Sequence, residues 1–195
     1  TFRNDDWVQL AKSAFASAEE AGAKEVIHCH ADTLHEARNQ GLALASSEYV
    51  VQLDADDALT PNYLKALSKG TSDIRVPAIQ YSLDSEFRQR PWAPIVPTVG
   101  GRGHGHSCQA SCLEFGNYVI VGAMAKTELL RSIGGWKDYP VLEDFDLWQR
   151  CWLAGATFET IPEAVYLAHY RPGSRNRALS VKEMARHQYN ISTTN

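Results

Sequence analysis

The stretch EYVVQLDADD at Glu48–Asp57 decides how the rest of the chain can be interpreted. Its apolar, β-branched residues at 49–53 predict a buried strand of a parallel sheet. Three carboxylates follow at once, on Asp54, Asp56 and Asp57. Carboxylates crowded at the edge of a core repel one another, so they need a cation, hydrogen-bond donors or protons nearby. A divalent ion such as Mg²⁺ or Mn²⁺ is the simplest compensation, and a plain turn leading to the next helix is the alternative.

The segments before this stretch predict a βαβ unit. An amphipathic helix is expected over 6–22 and a strand over Lys24–His30. The next helix begins with a capping box formed by Thr33 and Glu36, and should run to about Ser46. A strand, a helix and a second strand in this order favour a right-handed crossover and a parallel sheet. Ligands of such sheets bind beyond the carboxyl ends of the strands, where the three carboxylates lie.

The composition is typical of an ordinary globular chain. It has 195 residues, of which 44% are hydrophobic and 22% charged, so we expect one domain over residues 1–195. The net charge of -4 is not typical of a protein that binds nucleic acid. The sequence has no apolar segment long enough to cross a bilayer, and four cysteines do not make a disulfide scaffold. Without a signal peptide, the expected compartment is the cytoplasm.

A second group of residues suited to chemistry follows a Gly-Gly-Trp turn. Gly134–Trp136 precedes the segment LEDFDLWQR at 142–150, which has the periodicity of an amphipathic helix. Glu143 and Asp144 fall at the start of this helix. Carboxylates are common at helix N-termini because the helix dipole favours them there. Alone, this pair would therefore predict only a helix cap.

Taken together, the two segments resemble the family 2 glycosyltransferases, which have the GT-A fold. The first segment, at 34–57, contains the Ala37-Arg38-Asn39 motif and the DXD triplet Asp54-Ala55-Asp56. The second contains the Gly-Gly-Trp turn and the Glu-Asp pair. The resemblance implies an α/β, Rossmann-like nucleotide-binding domain with a central, mostly parallel sheet flanked by helices. Residues 1–76 would be its nucleotide-sugar-binding half and residues 77–195 its acceptor-binding half.

The resemblance also implies an activity. The family's enzymes transfer a hexosyl or related sugar from a nucleoside-diphosphate sugar to an acceptor hydroxyl, with the help of Mn²⁺ or Mg²⁺. Asp144 matches the general base, and Glu143 would orient an acceptor hydroxyl or the helix start. A base opposite the departing diphosphate leads to inversion of the anomeric centre. Asp56 and Asp57 would hold the metal, with His169 as a third ligand.

The donor site would draw on residues along the whole chain. The donor would be a UDP-sugar, with GDP- and dTDP-sugars as alternatives, and the acceptor a glycan or another hydroxyl compound. The chain differs from the family in two places. The segment His28–Asp32 replaces an acidic V-D-D-G-S segment. No strand precedes Thr1, so we expect the natural protein to begin earlier. The predicted donor-binding residues are Thr1, Arg3, His30, Asp32, Arg38, Asp54, Ala55, Asp56, Arg171 and Arg175.

Other interpretations stay open. The chain could be a catalytically inactive nucleotide- or glycan-binding module with the same fold, or a sugar-nucleotidyltransferase. A sugar-nucleotidyltransferase would need a Gly-rich, basic phosphate loop near the N-terminus, which residues 1–6 do not provide. A Zn²⁺ site on His104, His106, Cys108 and Cys112 is a further possibility, although the spacing matches no structural zinc pattern.

Overall fold

The computed structural model describes residues 6–97, 113, 117–171 and 179–194. This part of the chain contains both helices and strands, as an α/β domain requires. The helices are α1 (Asp6–Glu20), α2 (Leu34–Leu44), α3 (Tyr63–Leu67), α4 (Thr127–Ser132), α5 (Glu143–Leu153) and α6 (Val181–Thr194). The strands are β1 (Tyr49–Val51), β2 (Ala58–Leu59), β3 (Ile74–Ser82), β4 (Met124–Lys126) and β5 (Phe158–His169).

Five strands form one mixed sheet in the order β1-β4-β3-β5-β2. The long strands β3 and β5 pair in parallel, with a register shift between Pro77 and Ala78. Strands β1, β3 and β5 run in one direction and the short strands β2 and β4 run against them, so the sheet is mixed where a mostly parallel one was predicted, with β3 and β5 as its parallel pair. Strand β2 follows the turn at residues 52–57 and pairs antiparallel with β5, at the opposite end of the strand order from β1.

The helices at the start of the chain agree with the sequence prediction. Helix α1 covers most of the predicted span. The predicted capping box is confirmed at α2: Thr33 Oγ1 accepts the Glu36 N–H at 3.4 Å, and Glu36 Oε2 accepts the Thr33 N–H at 3.2 Å. Helix α2, which begins at this box, carries Arg38.

The strand predicted at Lys24–His30 is wrong. No strand is assigned there, because a strand is defined by pairing with a neighbour and nothing in the described ranges forms a ladder with this segment. A cavity of about 1720 Å³ separates it from β1, with residues of α1 and α2 also in its walls. Strand β1 was predicted to be buried but is half-buried, since its pairing with β4 leaves its other edge toward this cavity.

Two hydrophobic clusters hold the elements together. One joins α5 to β3 through Phe145, Trp148 and Ile74, and the other joins α3 to β5 through Tyr63 and Tyr166. Each fully buried side chain of this size contributes about 1.5–3 kcal/mol relative to an exposed one. The N-terminus of α5 is therefore held firmly in place. Of the helices described, none is both long and apolar enough to cross a bilayer.

Candidate active site

The acidic turn, defined here as Asp54–Asp57, links β1 to β2. The Asp57 N–H donates to the Asp54 carbonyl at 3.1 Å, which closes the turn. Strand β2 then pairs with β5, so that Ala58 lies opposite Leu167. The turn thus lies beside the carboxyl end of β5, where the parallel strands β3 and β5 both finish, and this is the edge at which ligands of such sheets bind.

Asp57 ties the acidic turn to β5. Its Oδ1 accepts the backbone N–H of His169 at 2.8 Å, and its Oδ2 accepts the hydroxyl of Tyr166 at 2.8 Å. Burial and the neighbouring charges of Asp54 and Asp56 raise the pKa of Asp57 well above its usual range, while the two donors oppose that shift. Both carboxylate oxygens are thus already engaged within the protein.

Asp56 lies beside a guanidinium and an imidazole. Arg171 Nη2 is 2.6 Å from Asp56 Oδ2. Burial, followed by the charge of Asp54, raises the pKa of Asp56, and Arg171 works against this. Burial also lowers the pKa of His169, which favours its neutral form. The Nδ1 of His169 is buried and has no hydrogen-bond partner among the described residues.

The described residues offer a divalent metal few ligands. No group of three or more His, Cys, Asp or Glu side chains suited to a metal is found in the described part of the chain. Mg²⁺, however, is usually bound through only one or two carboxylates, and substrate phosphates and water complete its shell. Asp56 can supply one such carboxylate, with His169 as a neighbouring nitrogen ligand. Asp57, the other predicted ligand, would have to share oxygens that already accept hydrogen bonds.

Arg38 connects the acidic turn to the start of α5. It is 4% exposed; its Nη2 donates to Asp54 Oδ1 at 2.8 Å, and its Nη1 donates to Glu143 Oε1 at 2.9 Å. Its guanidinium also lies 4.3 Å from the centre of the Trp136 ring. Such charge-assisted contacts are among the strongest hydrogen bonds in proteins. A contact between Arg38 and the nucleotide stays a prediction.

The Arg38-Asn39 and Gly-Gly-Trp motifs meet through a pair of hydrogen bonds. Asn39 Nδ2 donates to the Trp136 carbonyl and Asn39 Oδ1 accepts the Trp136 N–H, both at 2.8 Å. Gly135 has φ of +64°, and a Cβ there would overlap Asn39 Oδ1. These contacts hold the Trp136 ring against Arg38.

Asp144 has the properties of a proton acceptor. It follows Leu142, which has φ of 61° in the left-handed region, and Glu143 at the start of α5. Burial, together with the charge of Glu143, raises the pKa of Asp144 to about 6, while a hydrogen bond from Asn117 and the charge of Arg38 oppose this. A carboxylate with such a pKa is ionised at neutral pH yet basic enough to accept a proton. Nothing in the sequence around Asn117 marks it for this contact.

The structure brings most of the predicted site residues to one region and leaves others elsewhere. His30 and Asp32 lie exposed on the segment before α2, and Ala55 lines the large cavity. Thr1, Arg3, Arg175 and the four candidate zinc ligands lie outside the described residues. The residues joined by the contacts above are Arg38, Asp54, Asp56, Asp57, Glu143, Asp144, His169 and Arg171.

Tyr166 also belongs to this region, although it is not among the predicted site residues. Its hydroxyl donates to Asp57 and accepts the Asp54 N–H at 3.2 Å. A tyrosine in an apolar strand is most simply interpreted as core, so the sequence carried no signal for this contact.

Comparison with known proteins bears on the family and the fold of the chain. A family model described as "Glycosyl transferase family group 2" matches residues 49–192. The crystal structure of S. aureus TarS 1–349 is 18% identical, covers 72% of this chain and 42% of its own, and has a TM-score of 0.51. The structure of TarS 1–349 in complex with UDP is 17% identical, covers 84% and 51%, and has a TM-score of 0.52.

The chain spans about half or less of the length of these structures. No curated protein matches the chain in sequence. The likeness to TarS supports the GT-A fold. Because the family match covers well over half of the residues, the chain belongs to glycosyl transferase family group 2 and has the GT-A fold that its motifs predicted.

Proposed function

We propose that this chain forms the catalytic domain of a metal-dependent, inverting glycosyltransferase. It transfers a sugar from a nucleoside-diphosphate sugar to an acceptor hydroxyl. The observation that carries the proposal is the Arg38 bridge, which joins the acidic turn to the helix start bearing Asp144. A diphosphate-binding turn and a proton acceptor must lie close together for a direct displacement at the carbon between them.

Asp144 is the general base in this proposal. It takes the proton of the acceptor hydroxyl while that oxygen attacks the anomeric carbon, and the bond from that carbon to the diphosphate breaks on the opposite face. The anomeric centre is therefore inverted in one step. Glu143 is buried and bound to Arg38, so the second of its two predicted roles, orienting the helix start, suits it better.

The leaving diphosphate needs positive charge nearby. Arg171, beside Asp56, can turn one of its donors to a phosphate oxygen. Asp56 and His169 would hold Mn²⁺ or Mg²⁺, which supplies charge neutralisation for the diphosphate when bound. Arg38, if it released Asp54, would be a second donor. These residues therefore bind and orient the donor on the side of the acidic turn.

A UDP-sugar is the first candidate for the donor. The complex of TarS 1–349 with UDP supports this choice. The acceptor is a glycan or another hydroxyl compound, and its identity has to come from experiment.

Asp144→Asn tests the proposal against the inactive-module alternative. The substitution removes the proton acceptor while keeping the size of the side chain, so transfer from a UDP-sugar should fall by about 10²–10⁴-fold. Binding of UDP with Mn²⁺, measured as a shift in melting temperature, should persist. The matched control is Asp138→Asn, an exposed carboxylate whose side chain is 77% accessible.

Three results would contradict the proposal. Unchanged transfer by Asp144→Asn would exclude Asp144 as the base. Loss of transfer by Asp138→Asn to the same degree would show a general effect of lost charge. A wild-type chain that binds UDP but transfers no sugar to any of a panel of acceptors would favour the binding module.

A further inference from the structure

Tyr166 and Asp57 fasten the acidic turn to β5. The Tyr166 hydroxyl accepts the Asp54 N–H at 3.2 Å and donates to Asp57 Oδ2 at 2.8 Å. Asp57 Oδ1 accepts the N–H of His169, on the same strand as Tyr166, at 2.8 Å. We infer that Tyr166 and Asp57 are positioning residues, which fix Asp56 relative to His169. What those two side chains bind rests on the proposed function.

The positions along the chain explain why this attachment matters for Asp56. Asp54 and Asp57, which Tyr166 contacts, stand on either side of it, so both ends of a very short segment are held. His169 follows Tyr166 by three residues on β5, and its own N–H is bound by Asp57. The two candidate ligands are therefore fixed to one rigid strand, and ligands fixed in this way bind a metal more tightly.

The Tyr166 ring packs against Gly122 and near Tyr63. A Cβ on Gly122 would overlap the ring, with Cε2 only 2.6 Å away, so the absent side chain makes room for the ring. Tyr63 lies beside the same glycine: its hydroxyl donates to the Gly122 carbonyl at 2.6 Å, and the centroids of the two tyrosine rings are 6.3 Å apart. The missing side chain at Gly122 therefore leaves the space in which the Tyr166 hydroxyl reaches the turn.

A plain structural role is the competing explanation. A buried hydroxyl must find partners wherever it lies, and the Tyr166 hydroxyl could simply have met the nearest ones. Tyr63 offers a matched control for this explanation. It is also fully buried and belongs to the same cluster, but its hydroxyl bonds to Gly122, away from the turn.

The experiment compares Tyr166→Phe with Tyr63→Phe in the full chain. Each substitution removes one buried hydroxyl and keeps the ring, so both should lower the urea midpoint of unfolding by similar amounts. Only Tyr166→Phe should weaken binding of Mn²⁺ in the presence of UDP, by about tenfold or more, as measured by electron paramagnetic resonance of free Mn²⁺. Tyr63→Phe should bind Mn²⁺ as the wild type does.

Hydrogen exchange supplies a second measurement that needs no ligand. The Asp54 amide donates to the Tyr166 hydroxyl, so it should exchange faster in Tyr166→Phe and remain protected in Tyr63→Phe. Equal Mn²⁺ binding by wild type and Tyr166→Phe, or equal weakening by both variants, would overturn the inference. If the wild type binds neither Mn²⁺ nor UDP, the proposed function fails, and unchanged exchange at Asp54 would overturn this inference separately.

Discussion

Replacing Arg38 by Met tests the bridge on which the site depends. The Arg38 side chain is 3% exposed, and those of Glu143 and Asp54 are 8% and 34% exposed. Breaking a buried ion pair from one side costs about 3–5 kcal/mol, because a buried charge loses its counter-charge. The more exposed Asp54 adds at most about 1 kcal/mol. Methionine still fills space beside Trp136, so we expect a total loss of about 3–6 kcal/mol in the free energy of unfolding.

Urea denaturation of the wild type and the variant measures this loss, provided that the slope of the free energy against urea stays constant. The control is Arg88→Met, which removes an ion pair to Glu86 whose side chains are 79% and 61% exposed, and should cost no more than about 0.5 kcal/mol. Adding Glu143→Gln to the Arg38 variant should recover part of the loss, because the uncompensated charge is then gone. A loss below about 1 kcal/mol for Arg38→Met alone would refute the reasoning.

Two further predictions concern stability. Asp144 has a folded pKa of about 6, raised from its ordinary value of 3.8, so the wild type loses stability as pH rises between these two values. Asp144→Asn should therefore be more stable than the wild type by about 2–3 kcal/mol at pH 7 and nearly equal to it near pH 4. An equal difference in stability at both pH values would speak against this prediction. Gly122→Ala should cost about 1–3 kcal/mol because its Cβ overlaps the Tyr166 ring. Gly41→Ala in α2 should instead stabilise the protein by about 0.5–1 kcal/mol, because the new Cβ would meet only Cys29 Sγ, at 3.9 Å. Thermal unfolding measures the change in stability of both variants. A change of the same sign in the two variants would contradict the prediction.

Local signals in the sequence were sufficient for several elements. The capping box at Thr33 and the helical periodicity after Leu142 depend on residues within one or two turns of each other, so their structures follow from nearby residues alone. The two motifs also identified the family, which the match over 49–192 confirms.

Strand pairing was predicted less well. The apolar character of Lys24–His30 is typical of a strand, but a strand also needs a neighbour with free backbone groups, and none pairs with it in the ranges that the structure covers. The directions of β2 and β4 likewise depend on which strands they meet. Such pairings are decided by the packing of distant segments, which composition and alternation do not describe.

The sequence by itself determined the family, the helices with strong caps and the two carboxylate clusters at the acidic turn and at Glu143–Asp144. Only the tertiary structure decided how they are connected. Arg38 reaches Glu143 across 105 positions and Tyr166 reaches Asp57 across 109. Hydrogen-bond partners so far apart are set by how helices and strands pack. Spacing along the chain therefore identifies candidate carboxylates, whereas their partners, burial and pKa values arise from the folded environment.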